Sequence, residues 1–208
     1  MSRLLVLGAR GDQGRAQVLR ALASGHSVRV GLRDPAKAAA LFGAAVEAVP
    51  LDFADAASLH AAMRGIDTVL ANFPSSSFNA AEPLLAAAAA TGDSARTAGV
   101  ALILFNTSMP LRNRPLGFAG HDVRLAMVER ISQAGVPAIV FNPVVFMGNL
   151  LRGWAYPGIA GHNRFEYPHA ADLDVSWVCQ EDLASLMIAA VGRVDLGGHG
   201  PHSRGPAR

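Results

Sequence analysis

The sequence contains a single cysteine and no long apolar run. Cys179 can form neither an intrachain disulfide nor a cluster of thiolate metal ligands, and its apolar neighbours favour a small core residue over a nucleophile. The uninterrupted apolar stretches are much shorter than the ~20 residues that a membrane span needs. No signal peptide is visible, because the first such stretch, residues 4–7, is short and is followed at once by glycine. These absences predict a cytoplasmic protein without a membrane partner.

Charge is also scarce and nearly balanced. Charged residues make up 16% of the 208 residues, the formal net charge is +2, and the basic residues are scattered. This composition gives little support for a nucleic-acid partner. Hydrophobic residues make up 51% of the chain, which is enough for one domain with a substantial core. We expect that domain to comprise residues 1–191, and we expect the Gly-, Pro- and His-rich residues 192–208 to form a disordered tail.

Short β-branched runs alternate with alanine- and leucine-rich stretches along most of the chain. Strands are predicted at residues 4–7, 28–32, 46–50, 68–72, 100–105 and 138–141. Helices are predicted at residues 13–24, 55–63, 79–98, 123–134 and 182–191, with a further helix that opens at Asp34. Six β–α repeats with short connections predict an α/β fold with a doubly wound parallel sheet. Beyond residue 143 the pattern predicts a loop and short helix at 144–154 and irregular structure at 155–169.

Three glycines follow the first predicted strand at intervals of three residues. In a parallel α/β sheet this loop lies at the carboxyl edge, where the N-terminus of the next helix attracts a phosphate. Gly8 would allow the sharp turn, Gly11 the approach of a pyrophosphate, and Gly14 the packing of helix on strand. The spacing departs from the strict G-x-G-x-x-G pattern, so an ordinary tight turn is the alternative. The loop residues that we expect to contact a cofactor are Gly8, Arg10, Gly11, Asp12, Gln13 and Gly14.

The residues after the second predicted strand bear on the choice between NADP and NAD. Arg33 comes first, and a guanidinium at this position suits the 2′-phosphate of NADP. Arg10 in the glycine loop is a second cation within reach. Asp34 offers a carboxylate for the ribose hydroxyls of NAD, although the proline that follows it favours helix capping instead. We therefore expect NADP as the cofactor, with NAD as the alternative.

Further candidates follow the third, fourth and sixth predicted strands at the same edge of the sheet. Asp52 and Phe53 are placed to contact adenine. Asn72, Phe73 and Pro74 are placed to line the adenosine ribose or the pyrophosphate. The position of Asn142 suits a polar contact beside the nicotinamide, or else satisfaction of the backbone before a proline. These additional candidate cofactor contacts are Asp52, Phe53, Asn72, Phe73, Pro74 and Asn142.

Taken together, four stretches resemble the NmrA-like branch of the atypical short-chain dehydrogenase/reductases. They read GARGDQG, VRVGLRDPAKAAAL, VPLDFADAASLHAAMRGIDTVLANFP and VERISQAGVPAIVFNPVVFMGNLL. The match covers residues 4–151 and continues more faintly in VSWVCQEDLASLMIAAV. The resemblance implies a Rossmann fold that binds NAD(P), with a small substrate region at about residues 144–191. Members of this family include quinone and isoflavone-type reductases, sugar-epimerase-like proteins and redox-sensing regulators without turnover.

The chain departs from the wider family at the catalytic helix. Enzymes of that family use a Tyr and a Lys four residues apart at the start of the helix after the fifth strand. In this sequence the pair would fall near His121 and Leu125. The chain has only two tyrosines, neither of them there, and its single lysine is Lys37. Its C-terminal part is also short for the family.

Three residues are candidates for the missing catalytic groups. Ser108 ends the fifth strand, where its hydroxyl would donate a hydrogen bond to a substrate oxygen, unless it only closes a turn. His121 would replace the tyrosine as proton donor, since imidazole titrates near neutrality, or it is a helix-start histidine. Arg124 would stand in for the lysine. The histidines form no metal motif, so no metal is expected.

These observations and the resemblance lead to two hypotheses for function. The first is a reductase that transfers a hydride from NADPH to a quinone, enone or carbonyl substrate. A quinone takes its proton from solvent and so tolerates the missing Tyr–Lys pair. The second is a non-catalytic regulator that senses NADP(H) and binds a protein partner. The expected partners are thus a small-molecule substrate or a protein, and homo-oligomer formation is left open.

Overall fold

The computed structural model describes residues 1–74, 81–152, 155–167 and 172–198, and a parallel six-stranded sheet forms its centre. The strands lie in the order β3-β2-β1-β4-β5-β6. This order is that of a doubly wound sheet whose topological switch point falls between β1 and β4. The predicted fold class is confirmed. The strands are β1 (Arg3–Val6), β2 (Ser27–Leu32), β3 (Glu47–Pro50), β4 (Thr68–Ala71), β5 (Leu102–Asn106) and β6 (Ala138–Phe141).

Helices cover both faces of this sheet. They are α1 (Asp12–Ala23), α2 (Ala38–Phe42), α3 (Ala56–Met63), α4 (Ala81–Ala98), α5 (Ala119–Gln133), α6 (Tyr156–His162) and α7 (Gln180–Ala189). Two short strands, β7 (Val145–Phe146) and β8 (Trp177–Val178), pair in parallel beside the main sheet. Among the described residues, 3₁₀ turns occupy Pro35–Lys37, Met147–Leu151 and Val194–Leu196.

Alternation along the strands divides the core into two layers. Leu4 and Val6 of β1 face the layer that includes α1, α2 and α7, whereas Leu5 faces α3, α4 and α5. Because successive strand side chains point to opposite faces, a strand that is covered on both sides reads as a continuous apolar run. β5 shows this most clearly, since all five of its residues are buried. The sheet is therefore held rigidly from both sides, and its carboxyl edge is a stable platform for a site.

The helical elements differ from expectation in two places that affect the site. The helix expected from Asp34 is a 3₁₀ turn followed by the short α2. Helix α5 begins at Ala119 rather than at residue 123, so His121 lies in its first turn. No side chain caps this N-terminus, and the sequence therefore carries no capping residue to mark the earlier start.

The C-terminal part is more ordered than the composition predicted. Residues 156–162 form α6 although 155–169 were expected to be irregular, because Pro157 lies in the first turn, where a helix needs no backbone N–H. Of the tail expected to begin at residue 192, the described residues 192–198 include the 3₁₀ turn, and Gly198 pairs with Ala138 of the edge strand β6 through backbone hydrogen bonds. Backbone pairing of this kind leaves no side-chain pattern in a sequence.

Some predictions fall outside the described residues. They are the predicted start of the fourth helix at residues 79–80, the ends of the expected loop and irregular stretches at residues 153–154 and 168–169, and the tail from residue 199 onward. Within the described ranges no helix has both the length and the apolar character that crossing a bilayer requires. The same ranges contain no group of three or more His, Cys, Asp or Glu side chains that could hold a metal ion.

Candidate functional site

The loop between β1 and α1 is a tight glycine turn. Gly8 has a φ of +68°, and a Cβ at this position would lie 2.6 Å from the carbonyl oxygen of Asn72. A Cβ at Gly14 would lie 2.4 Å from the carbonyl oxygen of Gly8, because α1 packs directly on the turn. The Gly11 N–H donates to the Gly8 carbonyl at 3.0 Å and closes the turn. Positions 8 and 14 therefore accept only glycine, Gly8 because of the sharp turn and Gly14 because helix packs on strand, as the sequence suggested.

The N-terminus of α1 lies open above this turn. Gly11 is the N-cap residue, no side chain caps the helix, and a Cβ at Gly11 would meet only the Gly8 carbonyl at 3.5 Å. The first-turn N–H groups, which have no intrahelical acceptors, thus face the carboxyl edge of the sheet. Asp12 carries a negative charge here, and its carboxylate forms an ion pair with Arg152 from the turn after β7. Because Arg152 balances the charge of Asp12, the helix dipole and the free amides can still attract an anion.

One arginine lies in the glycine turn, Arg10, and another, Arg33, follows the end of the neighbouring strand β2. Arg10 and Arg33 are both exposed, and neither forms a hydrogen bond or ion pair with another described residue. The carboxylate of Asp34 accepts a hydrogen bond from the Ala36 N–H at 3.2 Å and forms an ion pair with Lys37. Asp34 therefore caps the 3₁₀ turn, and the two guanidinium groups are the ones left for a ligand.

Asn72, at the end of β4, is buried below the turn with its whole hydrogen-bonding capacity in use. Its Nδ2 donates to the Leu7 carbonyl at 2.9 Å and to Gln17 Oε1 at 2.7 Å. Its Oδ1 accepts from Gln17 Nε2 and from Asn106 Nδ2, each at 3.0 Å. The Asn72 side chain therefore has no group left for the cofactor contact that was predicted. It has a positioning role instead, because it joins β1, α1 and β5 under the glycine turn.

A chain of amides continues from Asn106 to Ser108, and one backbone group fixes its polarity. The Ser108 N–H can only donate, so the atom it meets at 2.9 Å must be Asn106 Oδ1. Asn106 Nδ2 then donates to Gln13 Oε1 at 2.5 Å. Gln13 Oε1 can only accept, so the Ser108 hydroxyl, 2.8 Å away, donates to it. Every donor and acceptor in the chain is thereby assigned.

This polarity changes the role expected of Ser108. The residue follows β5 in the left-handed region, with a φ of +61°, and it lines the cleft beside Asn106. Its single hydroxyl proton is donated to Gln13 and is not available for the substrate oxygen that the sequence analysis assigned to it. Ser108 faces a ligand as an acceptor instead.

The structure also overturns the prediction that His121 is a proton donor. His121 is buried in the first turn of α5, and its Nε2 accepts the Arg112 backbone N–H at 2.8 Å. Because that nitrogen must accept, the proton resides on Nδ1, which lies 2.9 Å from Asp122 Oδ1 and donates to it. Both ring nitrogens are therefore committed to protein groups, and neither is presented to a substrate.

His121 and Asp122 instead fasten the loop between β5 and α5. The Asp122 carboxylate accepts the backbone N–H groups of Leu116 and Gly117, each at 2.8 Å. These backbone hydrogen bonds, and that from His121, lower the pKa of Asp122. The two side chains thus receive three backbone N–H groups of the loop, which has few buried contacts of its own.

Arg124 is the charged group that the fold brings to the cleft. It is buried on α5, its Nε donates to the Thr107 carbonyl, and burial lowers its pKa to about 10. The guanidinium therefore stays protonated at neutral pH. Arg124 helps to line a narrow cleft at the carboxyl edge of the sheet. The lining residues are Phe73, Pro74, Leu84, Phe105, Asn106, Ser108, Arg124 and Met127.

The other predicted cofactor contacts divide between this cleft and its rim. Phe73 is buried against Phe53 with ring centroids 5.2 Å apart, so the two aromatic predictions form one cluster. Asp52 is exposed, and its Oδ1 accepts the Ala54 N–H at 3.0 Å. Asn142 is exposed after β6, and its side-chain amide lies 3.0 Å from the Thr107 hydroxyl. Asp52 and Asn142 thus lie at the rim with part of their capacity already used.

Sequence reasoning missed three residues that build the site. Gln17 and Asn106 belong to the buried amide chain, and Arg152 reaches Asp12 from the C-terminal region. One signal for Asn106 was available, because β4 and β5 are neighbours and the strand ends both carry asparagine. No comparable signal marks Arg152, which is 140 residues from its partner.

Comparisons with known proteins agree with this geometry. A family profile described as NAD(P)H-binding matches residues 8–134, more than half of the chain. A curated relative from Streptomyces griseus subsp. griseus, a (4-alkanoyl-5-oxo-2,5-dihydrofuran-3-yl)methyl phosphate reductase, is 34% identical over 193 residues. The alignment covers 90% of this chain and 62% of the relative. The chain therefore spans about three fifths of that protein's length.

Solved structures show the same fold at low sequence identity. Triphenylmethane reductase of Citrobacter sp., complexed with NADP(H), has a TM-score of 0.71 at 18% identity, covering 91% of this chain and 65% of that one. The NADPH-dependent quinone oxidoreductase of Escherichia coli, complexed with NADPH, has a TM-score of 0.73 at 22% identity, covering 91% and 64%. A nucleoside-diphosphate-sugar epimerase of Staphylococcus aureus has a TM-score of 0.75 at 21% identity, covering 94% and 68%. At these identities the likeness concerns the fold alone.

Proposed function

Because the chain belongs to the NAD(P)H-binding family, we propose that it is an NADPH-dependent reductase of the NmrA-like type. The observation that carries the proposal is the open glycine turn: α1 presents uncapped amides at the carboxyl edge, between two arginines that have no partner among the described residues. A pyrophosphate matches the amides and the positive end of the helix. The 2′-phosphate of NADP matches Arg33, with Arg10 as the second cation.

The residues present fit the cofactor along the whole edge. Gly8 and Gly14 leave no room for a Cβ, and Gly11 keeps the approach to the amides open. Asp52 and Phe53 are proposed to border the adenine, and Asn142 to lie beside the nicotinamide half. When bound, NADPH supplies a hydride. The residues of this chain position the two reactants and stabilise the charge that develops.

For the substrate we propose an enone, meaning a carbon–carbon double bond conjugated to a carbonyl group. The curated relative is named for a 5-oxo-2,5-dihydrofuran, and it is 34% identical to this chain. In the reduction, hydride adds to the carbon β to the carbonyl, the π electrons move onto the carbonyl oxygen, and water protonates the α carbon. This route needs no Tyr–Lys pair, which agrees with the commitment of both His121 nitrogens to the protein.

Arg124 is proposed to stabilise the negative charge that develops on the substrate oxygen. It lies in the cleft wall, it is buried, and its pKa of about 10 keeps it charged at neutral pH. A fixed positive charge in a partly dehydrated cleft stabilises a developing enolate more strongly than water does. The aromatic wall formed by Phe73 and Phe105, whose rings meet edge to face at 5.6 Å, suits a flat conjugated substrate.

The experiment is a reduction assay with 3-acyl-2(5H)-furanones, quinones and saturated aldehydes, in which NADPH consumption and products are both measured. We expect the furanone double bond to be reduced. We expect Arg124→Met to lower kcat by ~10²–10³-fold and to leave NADPH binding unchanged. Arg130→Met, which removes an exposed arginine from the same helix, is the matched control and should leave kcat unchanged. An NADPH-loaded protein that consumes no NADPH above buffer with any of these substrates would contradict the proposal.

A regulator that senses NADP(H) is the second candidate. It is favoured by the absence of the Tyr–Lys pair from the sequence and by the structural role of His121. Only a difference in affinity between two ligand states shifts a conformational population. A sensor should therefore bind NADP⁺ and NADPH with different affinities and show no turnover, whereas similar affinities with steady reduction of the furanone would exclude it.

A further inference from the structure

We propose that Gln13 and Ser108 together recognise the carboxamide of the nicotinamide ring, with Gln13 as hydrogen-bond donor and Ser108 as acceptor. This inference rests on the proposed function, because it assigns residues to one end of the same cofactor. It concerns specificity for the carboxamide on the nicotinamide ring, a group that neither the glycine turn nor the two arginines would contact.

The amide chain leaves the Nε2 group of Gln13 unused. Gln13 Oε1 already accepts from Asn106 Nδ2 at 2.5 Å and from the Ser108 hydroxyl at 2.8 Å. This fixes the amide plane of Gln13 and turns Nε2 away from Asn106. Among the described residues Gln13 Nε2 has no acceptor, and this nitrogen is accessible to solvent. Two N–H donors are therefore held in a set direction beside Ser108, which lines the cleft.

The Ser108 hydroxyl presents an acceptor beside this donor. Its proton is committed to Gln13, so the lone pairs of Oγ are what it offers to a ligand. Backbone geometry keeps it there, since the Ser108 N–H is held by Asn106 Oδ1 at 2.9 Å while the residue occupies the left-handed region. A donor and an acceptor thus stand side by side, bridged by one hydrogen bond.

This donor and acceptor pair matches a primary carboxamide. A primary carboxamide carries one carbonyl acceptor and one N–H₂ donor on the same carbon, which is the complement of an N–H₂ beside a lone pair. A ketone in its place keeps the acceptor and lacks the donor. The position also agrees, because Gln13 belongs to the first turn of α1, next to the proposed pyrophosphate site, and Ser108 lines the cleft with Arg124.

The experiment compares the affinity of the protein for NADP⁺ and for its 3-acetylpyridine analogue, which replaces the carboxamide by a methyl ketone. Calorimetry on oxidised ligands measures binding without turnover. The wild type should bind NADP⁺ about tenfold more tightly than the analogue, as expected for one lost hydrogen bond. In Ser108→Gly, which removes the hydroxyl and suits the left-handed backbone, this ratio should fall to about one. In Arg33→Gln both affinities should fall together, and the ratio should persist.

A second variant tests the donor. Gln13→Glu keeps an oxygen acceptor for Asn106 and Ser108 but loses the N–H₂ group. It should weaken both dinucleotides severalfold more than it weakens 2′-phospho-ADP-ribose, which lacks the ring and reports the effect of the added charge.

The outcomes separate the two proposals. A wild-type ratio of one, or a ratio that persists in Ser108→Gly, overturns the carboxamide assignment and leaves the reductase standing if all three ligands bind. Folded wild-type protein that binds none of the three ligands overturns the proposed function and the assignment with it.

Discussion

At the scale of the residue, hydrogen-bond capacity decides which side chains are available for chemistry. Asn72, Asn106 and His121 are polar, lie near the cleft, and have their groups taken by other protein atoms. Gln13 and Ser108 retain one kind of group each. A backbone N–H settles these assignments, because it can only donate and so fixes the side chain that it meets. Catalytic candidates chosen by residue type alone are therefore reduced to those with capacity left over.

His121 offers a test at this scale. His121→Leu leaves the part-buried Arg112 N–H without its acceptor, so we expect the free energy of unfolding to fall by about 1 kcal/mol. His121→Gln places a side-chain oxygen near the position of Nε2 and should recover part of that loss. Urea denaturation measures both variants. NADPH binding should be unchanged in each, and a large loss of affinity at wild-type stability would instead return His121 to the ligand site.

At the scale of the element, close packing of α1 on the glycine turn is the most demanding local feature. Gly14→Ala would place a Cβ 2.4 Å from the Gly8 carbonyl oxygen. The backbone must then shift, and we expect a loss of about 3 kcal/mol or more, as for overpacking of a close backbone contact. The control is Gly161→Ala in α6, where a Cβ meets nothing within 4 Å. Thermal unfolding should show a sharp fall for the first variant and no loss for the second, and equal behaviour would refute the packing argument.

The amino edge of the sheet carries a pH-dependent contact. Arg29 of β2 donates to the carbonyl groups of Ala62 and Arg64 and to the Glu47 carboxylate of β3, which also meets Arg3. The hydrogen bond from Arg29 is the main cause of a pKa of Glu47 below its ordinary value of 4.5. A carboxyl group with a lowered pKa stabilises the fold above its ordinary pKa, and this stabilisation is lost as the pH falls through the folded value.

Substitution at Glu47 tests this contact. Glu47→Gln should lower the thermal midpoint at pH 7 and should flatten its decrease between about pH 5 and pH 3. The effect will be modest, about 1 kcal/mol or less, because the carboxylate is half exposed. Glu129→Gln removes an exposed carboxylate that pairs with no other described residue and should follow the wild-type curve. Parallel curves for wild type and Glu47→Gln would show that the contact has no pH-dependent effect.

At the scale of the whole molecule, the sequence predicted the sheet well, because strands that are buried on both faces consist of continuous apolar runs. The glycine spacing likewise predicted the turn, since a Cβ at position 8 or 14 would collide with a backbone carbonyl oxygen. The roles of Ser108 and His121 were wrong for a common reason. Their partners, Gln13 and the backbone of Arg112, are set by tertiary contacts that no local pattern encodes. Helix α6 and the pairing of Gly198 were missed because each depends on backbone hydrogen bonds.

The central claim is that this chain holds NADPH at the glycine turn, with Arg33 at the 2′-phosphate. Calorimetric titration of wild type, Arg33→Gln and the control Arg20→Gln with NADPH and NADH tests it most directly, since Arg20 is an exposed arginine at the far end of α1. We expect Arg33→Gln to lose about 1–3 kcal/mol of NADPH binding, as for a charge-assisted hydrogen bond, with little change for NADH. Arg20→Gln should match the wild type. Folded wild-type protein that takes up neither dinucleotide would contradict the account.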